Sequence, residues 1–68
     1  MATFEECEPG KQARLLKAQV PRVVGKTGTI VEVARERRDP ARPIQLRITV
    51  DVPGHGEVVV TPAELDLV

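Results

Sequence analysis

Two side chains of this 68-residue chain could carry out covalent or acid–base chemistry, Cys7 and His55. Three glutamates between positions 5 and 8 surround Cys7, and their negative charge raises the pKa of a thiol and suppresses the reactive thiolate. His55 stands between two glycines with Glu57 as its one nearby carboxylate, whereas a metal ion needs three or four ligands. The chain contains no serine, which excludes a serine triad. We therefore interpret His55 as a turn residue and predict a protein that is not an enzyme, with no catalytic residue, metal or cofactor.

Within the segment Gly25-Lys26-Thr27-Gly28, the residues Gly-Lys-Thr match the end of the phosphate-binding loop motif. That motif requires a glycine five positions before Gly25, where this chain has Val20, and a helix whose N-terminus binds the anion. A β-branched run from Ile30 to Val33 follows instead and favours a strand. The two glycines therefore indicate backbone that needs a positive φ or the close approach of another segment, and not a nucleotide site.

One loop, stiffened by Pro40 and Pro43, concentrates three fixed positive charges: Arg37, Arg38 and Arg42. A stiff loop of this kind can hold phosphate or carboxylate by forked hydrogen bonds at little cost in ordering. It can equally be a solvated hairpin tip that Asp39 partly neutralises, and the residues leave both alternatives open. Arg47 on the following strand extends the positive face if the preceding strand places Arg35 beside it.

Composition limits what else the chain can do. Its formal net charge is zero, but residues 11–47 carry +7, whereas residues 1–10 carry −3 and residues 48–68 carry −4. Apolar residues make up 41% and Phe4 is the one aromatic, so a core of Val, Leu and Ile is expected and a cavity of several hundred Å³ is hard to enclose. One cysteine favours a reducing compartment, and no apolar run approaches the length of a membrane span. We expect a soluble, cytoplasmic protein without membrane contact.

Periodicity predicts an all-β domain of five short strands. Residues 44–52 alternate apolar and polar side chains over nine positions, which indicates a strand with one buried face. In the second strand, Ile30 and Val33 fall on opposite faces of an ideal strand, so we expect a bulge or strong bend near Val31. Pro53-Gly54 is typical of a type II turn, and Pro62–Glu64 predicts one helical turn capped by Thr61. The predicted strands cover residues 12–17, 27–37, 44–52, 57–61 and 65–68.

This arrangement resembles a small barrel of the Src-homology-three type, with residues 1–9 as an acidic lead-in and residues 10–68 as the barrel domain. The segment Val24-Gly25-Lys26-Thr27-Gly28-Thr29-Ile30-Val31-Glu32-Val33 is similar to the KOW motif of ribosomal and transcription-elongation proteins. The resemblance implies a five-stranded barrel with a helical turn before the last strand. It also implies docking on a larger protein or ribonucleoprotein assembly, with Lys26 and Thr27 at the contact end.

The chain departs from RNA-binding relatives of this type because it is neutral and has no aromatic surface for base stacking. Any nucleic-acid contact would depend on Arg and Lys meeting phosphate. The alternative function is an accessory or regulatory subunit of an enzyme complex, with no nucleic-acid contact. The predicted partner-binding residues are Lys26, Thr27, Arg35, Arg37, Arg38, Arg42 and Arg47. Exposed strand edges would also allow two copies to pair as a homodimer.

Overall fold

A computed structural model describes residues 3–37 and 39–68 as one five-stranded antiparallel sheet. The strands, in chain order, are β1 (Gln12–Leu15), β2 (Thr27–Glu36), β3 (Gln45–Val52), β4 (Gly56–Val60) and β5 (Leu65–Leu67). Within the described residues the helical elements are three short 3₁₀ turns at Phe4–Glu6, Pro21–Val23 and Pro62–Glu64. The predicted all-β class and the five strands are confirmed.

The sheet is open, with the strands in the order β4-β3-β2-β1-β5. β4 pairs with β3 and β5 pairs with β1, and no ladder between described residues joins β4 to β5. A barrel closes only when its two edge strands pair, so the predicted closed barrel is not confirmed.

A bulge at Val31 divides β2 into two halves. Ile30 pairs with Val50, but Thr49 pairs with Glu32, which leaves Val31 as the extra residue. Because side chains alternate with a period of two, the extra residue changes which positions of β2 face the core. Ile30 is buried before the bulge and Val33 is half-buried after it, three positions further on. The bulge expected near Val31 is confirmed.

The two glycines at the start of β2, Gly25 just before it and Gly28 within it, are required for different physical reasons. Gly25 adopts a φ of 84°, which residues with a side chain rarely occupy. Gly28 is buried, and a Cβ there would lie 2.5 Å from the Asp51 carbonyl oxygen and 2.7 Å from Cγ1 of Val50. β2 therefore passes β3 at Gly28 too closely for any side chain, as the spacing of the two glycines indicates.

The core lies on one face of this bent sheet. Its largest fully buried side chains are Leu15, Val23, Ile30, Ile48, Val50, Val52 and Leu65. The alternation of β3 is confirmed from Ile48 to Val52, but Leu46 is only half-buried and Ile44, just before the strand, is exposed. Cys7 is also buried, so the acidic lead-in contributes a side chain to the core.

The two reversals near the C-terminus follow their sequence signals. The His55 N–H donates to the Val52 carbonyl at 2.9 Å and Gly54 has a φ of 83°, as a type II turn requires. Glu64 Oε1 accepts the Thr61 N–H at 2.9 Å and the Thr61 hydroxyl at 3.0 Å. Thr61 and Glu64 thus fix the turn that leads the chain away from β4.

Replacing Gly28 by alanine should destabilise the fold by at least about 2 kcal/mol, because the new Cβ meets backbone and forces β2 away from β3. Urea unfolding followed by circular dichroism measures the loss. The matched control is Thr27→Ala, an exposed position one residue earlier, which should stay within about 0.5 kcal/mol of the parent. A Gly28→Ala variant as stable as the parent would contradict the close approach.

Candidate functional site

Half of the β2–β3 hairpin extends beyond the other strands. β1 pairs with β2 only at Thr27–Thr29, and β4 pairs with β3 only from Ile48 onward. Residues 33–47, which we call the distal ribbon, therefore form a two-stranded ribbon with its connecting loop. The distal ribbon carries five arginines and two carboxylates, a net charge of +3. The chain thus places this positive charge on an element that no third strand pairs with among the described residues.

The loop of the distal ribbon exposes Arg37 and Arg42. Neither side chain has a hydrogen bond or ion pair within the part of the chain that the structure describes, and the predicted Arg38 lies outside that part. Asp39 instead holds the loop backbone: its Oδ1 accepts the Ala41 N–H at 2.9 Å, and its carbonyl accepts the Arg42 N–H at 2.9 Å. The carboxylate expected to neutralise the loop is thus engaged by backbone.

Arg35 and Arg47 lie on opposite faces of the distal ribbon. Arg35 is paired with Leu46, whereas Arg47 is paired with Ala34, and directly paired residues share a face. The condition for a continuous positive face is therefore not met. The physical reason is the bulge at Val31, which shifts the register of β2 by one residue.

Each of these two arginines has a local partner. The Arg47 guanidinium donates to Glu36 Oε1 at 3.0 Å, and both side chains are partly exposed. Arg35 stacks its guanidinium 4.7 Å from the centroid of the Phe4 ring, a cation–π geometry. Arg35 thus joins the N-terminal 3₁₀ turn to the inner face of the ribbon, while Arg37 and Arg42 stay available to a partner.

Lys26 and Thr27 lie at the opposite end of β2. The Lys26 N–H donates to the Val23 carbonyl at 3.0 Å, and its own carbonyl accepts the Leu15 N–H at 3.0 Å. A ten-residue strand is about 30 Å long, and the longest dimension of the molecule is 38 Å. The structure does not bring the Lys26 turn and the arginine loop together, so a small partner can contact only one of them.

Sequence reasoning missed an apolar groove of about 700 Å³, open to solvent, beside the start of β3. The groove exists because β4 ends at Val60, opposite Ile48, and the chain then turns away at Pro62. Its apolar walls come from Ile44, Leu46, Val59, Val60, Pro62 and Ala63. The signal in the sequence is the length of the apolar alternation. It begins at Ile44, two apolar positions before Ile48, the first residue of β3 that β4 pairs with.

Neither candidate for covalent or acid–base chemistry lies at the ribbon or the groove. Cys7 is buried, and its Sγ donates to the Thr3 carbonyl at 3.4 Å. Burial raises the pKa of the Cys7 thiol, and the Glu6 charge raises it further, in the direction that the sequence indicates. His55 is exposed on its turn. In the described ranges, no three His, Cys, Asp or Glu side chains group as metal ligands do.

Comparison with known proteins gives the chain no family. It matches no protein-family model, no curated protein and no solved structure. The resemblance to KOW-type barrels therefore stays a prediction from the residues quoted above. Over residues 3–37 and 39–68, the structure contains no helix with the length and apolar character needed to cross a membrane.

We expect Cys7 to react at least about tenfold more slowly with an aromatic disulfide reagent at pH 8 in the folded protein than in urea. The reason is that its thiol is buried and its pKa is raised. The matched control is Val24→Cys in a Cys7→Ala background, which places a thiol at an exposed position. Equal rates for folded and unfolded protein would show that Cys7 is accessible.

Proposed function

We propose that this chain is a non-catalytic interaction module that docks on an anionic surface of a larger protein or ribonucleoprotein assembly through the distal ribbon. One observation carries the proposal: Arg37 and Arg42 are exposed at the tip of the ribbon with no partner among the described residues. Guanidinium groups form paired hydrogen bonds with carboxylate and phosphate. A proline-stiffened loop presents them at little entropic cost.

The shape of the molecule supports this proposal. The distal ribbon lies past the five-stranded part of the sheet, so a large partner can reach its loop end without meeting β1 or β5. The bulge at Val31 and the close contact at Gly28 also support a half-open barrel of the Src-homology-three type, in which β2 serves two curved layers. The single buried thiol supports a reducing, cytoplasmic location.

A second candidate is an accessory subunit that contacts protein alone. The apolar groove favours it, because a phosphate backbone gains nothing from aliphatic walls such as Ile44 and Val59. The sole aromatic of the chain, Phe4, is half-buried under Arg35 and offers no platform for base stacking.

The double change Arg37→Gln with Arg42→Gln should abolish capture of the assembly from a native lysate, because it removes the unpartnered charges of the ribbon. The matched control is Arg14→Gln with Arg22→Gln, which removes the same charge near the Lys26 turn and should leave capture unchanged. Loss of capture by the control alone would move the contact to the Lys26 end. Equal capture by both variants would overturn the proposal.

Nuclease and salt separate the two candidates. Ribonucleoprotein docking through phosphate should disappear after nuclease treatment and weaken log-linearly as salt rises. Docking of an accessory subunit on a protein should survive nuclease and respond less to salt, because apolar contacts are not screened.

Glu36→Gln should strengthen docking about three- to tenfold, because it frees Arg47 from its ion pair and removes one negative charge from the ribbon. Titration of the purified assembly with labelled protein measures the change. The matched control is Glu57→Gln, which makes the same net change at the start of β4. An equal gain in affinity from both variants would show that binding depends on the net charge of the protein and not on the position of that charge in the ribbon.

A further inference from the structure

The apolar groove lies along an exposed edge of β3. Gln45, Leu46 and Arg47 have partners on β2, but the ladder with β4 starts only at Ile48. In an antiparallel sheet, alternate residues direct their N–H and C=O groups to alternate neighbours. This part of β3 therefore offers backbone donors and acceptors to the groove, where no strand continues β4. Such an edge is a template for an added strand.

The groove walls fit the side chains of an extended segment. Leu46 continues the inward-facing set of β3 and Ile44 lies just before the strand, while Val60 and Pro62 close the groove on the β4 side. Ile44 is 43% exposed and Leu46 is half-buried, so both have apolar surface left to bury, whereas Val59 pairs with Thr49 and faces the other side of the sheet. A segment added to the edge would direct every second side chain onto these aliphatic walls.

The charges around the groove indicate which charge a bound segment should carry. Arg47 lines the groove, although its guanidinium donates to Glu36, and Arg42 lies two residues before Ile44, on a ribbon whose net charge of +3 already counts Glu36. The one carboxylate in the lining, that of Glu64, accepts hydrogen bonds from Thr61 and keeps its charge, so the ribbon and the groove together carry a net charge of +2. The remaining side chains of a segment on the β3 edge therefore meet positive charge, which favours Asp and Glu.

We infer that the groove binds an extended acidic segment of a partner protein by strand addition to the β3 edge, with aliphatic side chains alternating with carboxylates. The inference rests on the proposed function, because it names the part of the partner that docks beside the distal ribbon. A nucleic acid cannot use this edge in the same way, since it has no alternation of backbone N–H and C=O groups.

The probe is an acetylated, amidated peptide in which Val and Glu alternate, titrated into the full chain and followed by nuclear magnetic resonance. Binding should protect from hydrogen exchange about half of the amides in residues 44–47 and none in β5. Methylating the peptide nitrogens one at a time should lower affinity about tenfold at alternate positions only, because only those donate to the edge. No binding at millimolar peptide, or losses without alternation, would overturn the inference.

Side-chain variants test the walls and the charge separately. Ile44→Ser should lower affinity about fivefold or more, whereas Val24→Ser, at 45% exposure and outside the groove, should leave it unchanged within about twofold. A peptide with Lys in place of Glu should bind at least about tenfold more weakly. Equal affinity of the two peptides would overturn the charge argument.

Three further outcomes would give the groove or the ribbon a different role. An oligouridylate that binds without protecting residues 44–47 while the peptide fails would make the ribbon a phosphate contact. A concentration-dependent dimer that protects these amides without peptide would make a second copy the occupant. If the peptide fails but Arg37→Gln with Arg42→Gln still abolishes capture of the assembly, the inference falls and the proposed function stands.

Discussion

The contact between β2 and β3 at Gly28 is the constraint on which the rest of the architecture depends. The missing side chain allows the Asp51 carbonyl and Val50 to approach the β2 backbone closely enough that no Cβ fits. Three residues later the bulge at Val31 changes the register, so one strand serves the core with both of its halves. A 68-residue chain with one aromatic side chain has little core to spare, so it depends on close packing of its aliphatic residues.

The same bend separates the part of the chain that folds from the part available for contact. On one side of Val31, β2 lies between β1 and β3 and helps bury the core. On the other side β3 is its one strand neighbour among the described residues, Phe4 lies against Arg35, and the sequence turns from aliphatic to charged. The bulge decides which charges combine, because it directs Arg35 toward Phe4 and leaves Arg47 beside Glu36. Arg37 and Arg42 in the loop have no partner among the described residues and keep their full capacity for an external anion.

Much of the fold could be read from local signals, because those signals act within one strand or turn. The alternation in β3, the turn at Pro53-Gly54 and the break in phase between Ile30 and Val33 each state a local geometry that the structure confirms. The candidate site was harder to predict from the sequence, since it depends on the register between strands. The face that Arg35 occupies follows from a one-residue shift in register. The groove follows from the end of β4 opposite Ile48, which leaves the first residues of β3 without a neighbour on that side. Whether two edges meet to close a barrel is likewise a property of the whole sheet, and no single segment encodes it.

The two-stranded nature of the distal ribbon has a dynamic consequence. A ribbon without a third strand is marginal by itself in water, so its hydrogen bonds should open more readily than those of the five-stranded part. Opening there exposes little of the core, since Ile48 and Val50 lie beyond it under β4. Substitutions in the distal ribbon should therefore have small effects on the free energy of global unfolding. The molecule separates the residues that keep it folded from those free to diversify, which lets one scaffold acquire new recognition without being rebuilt.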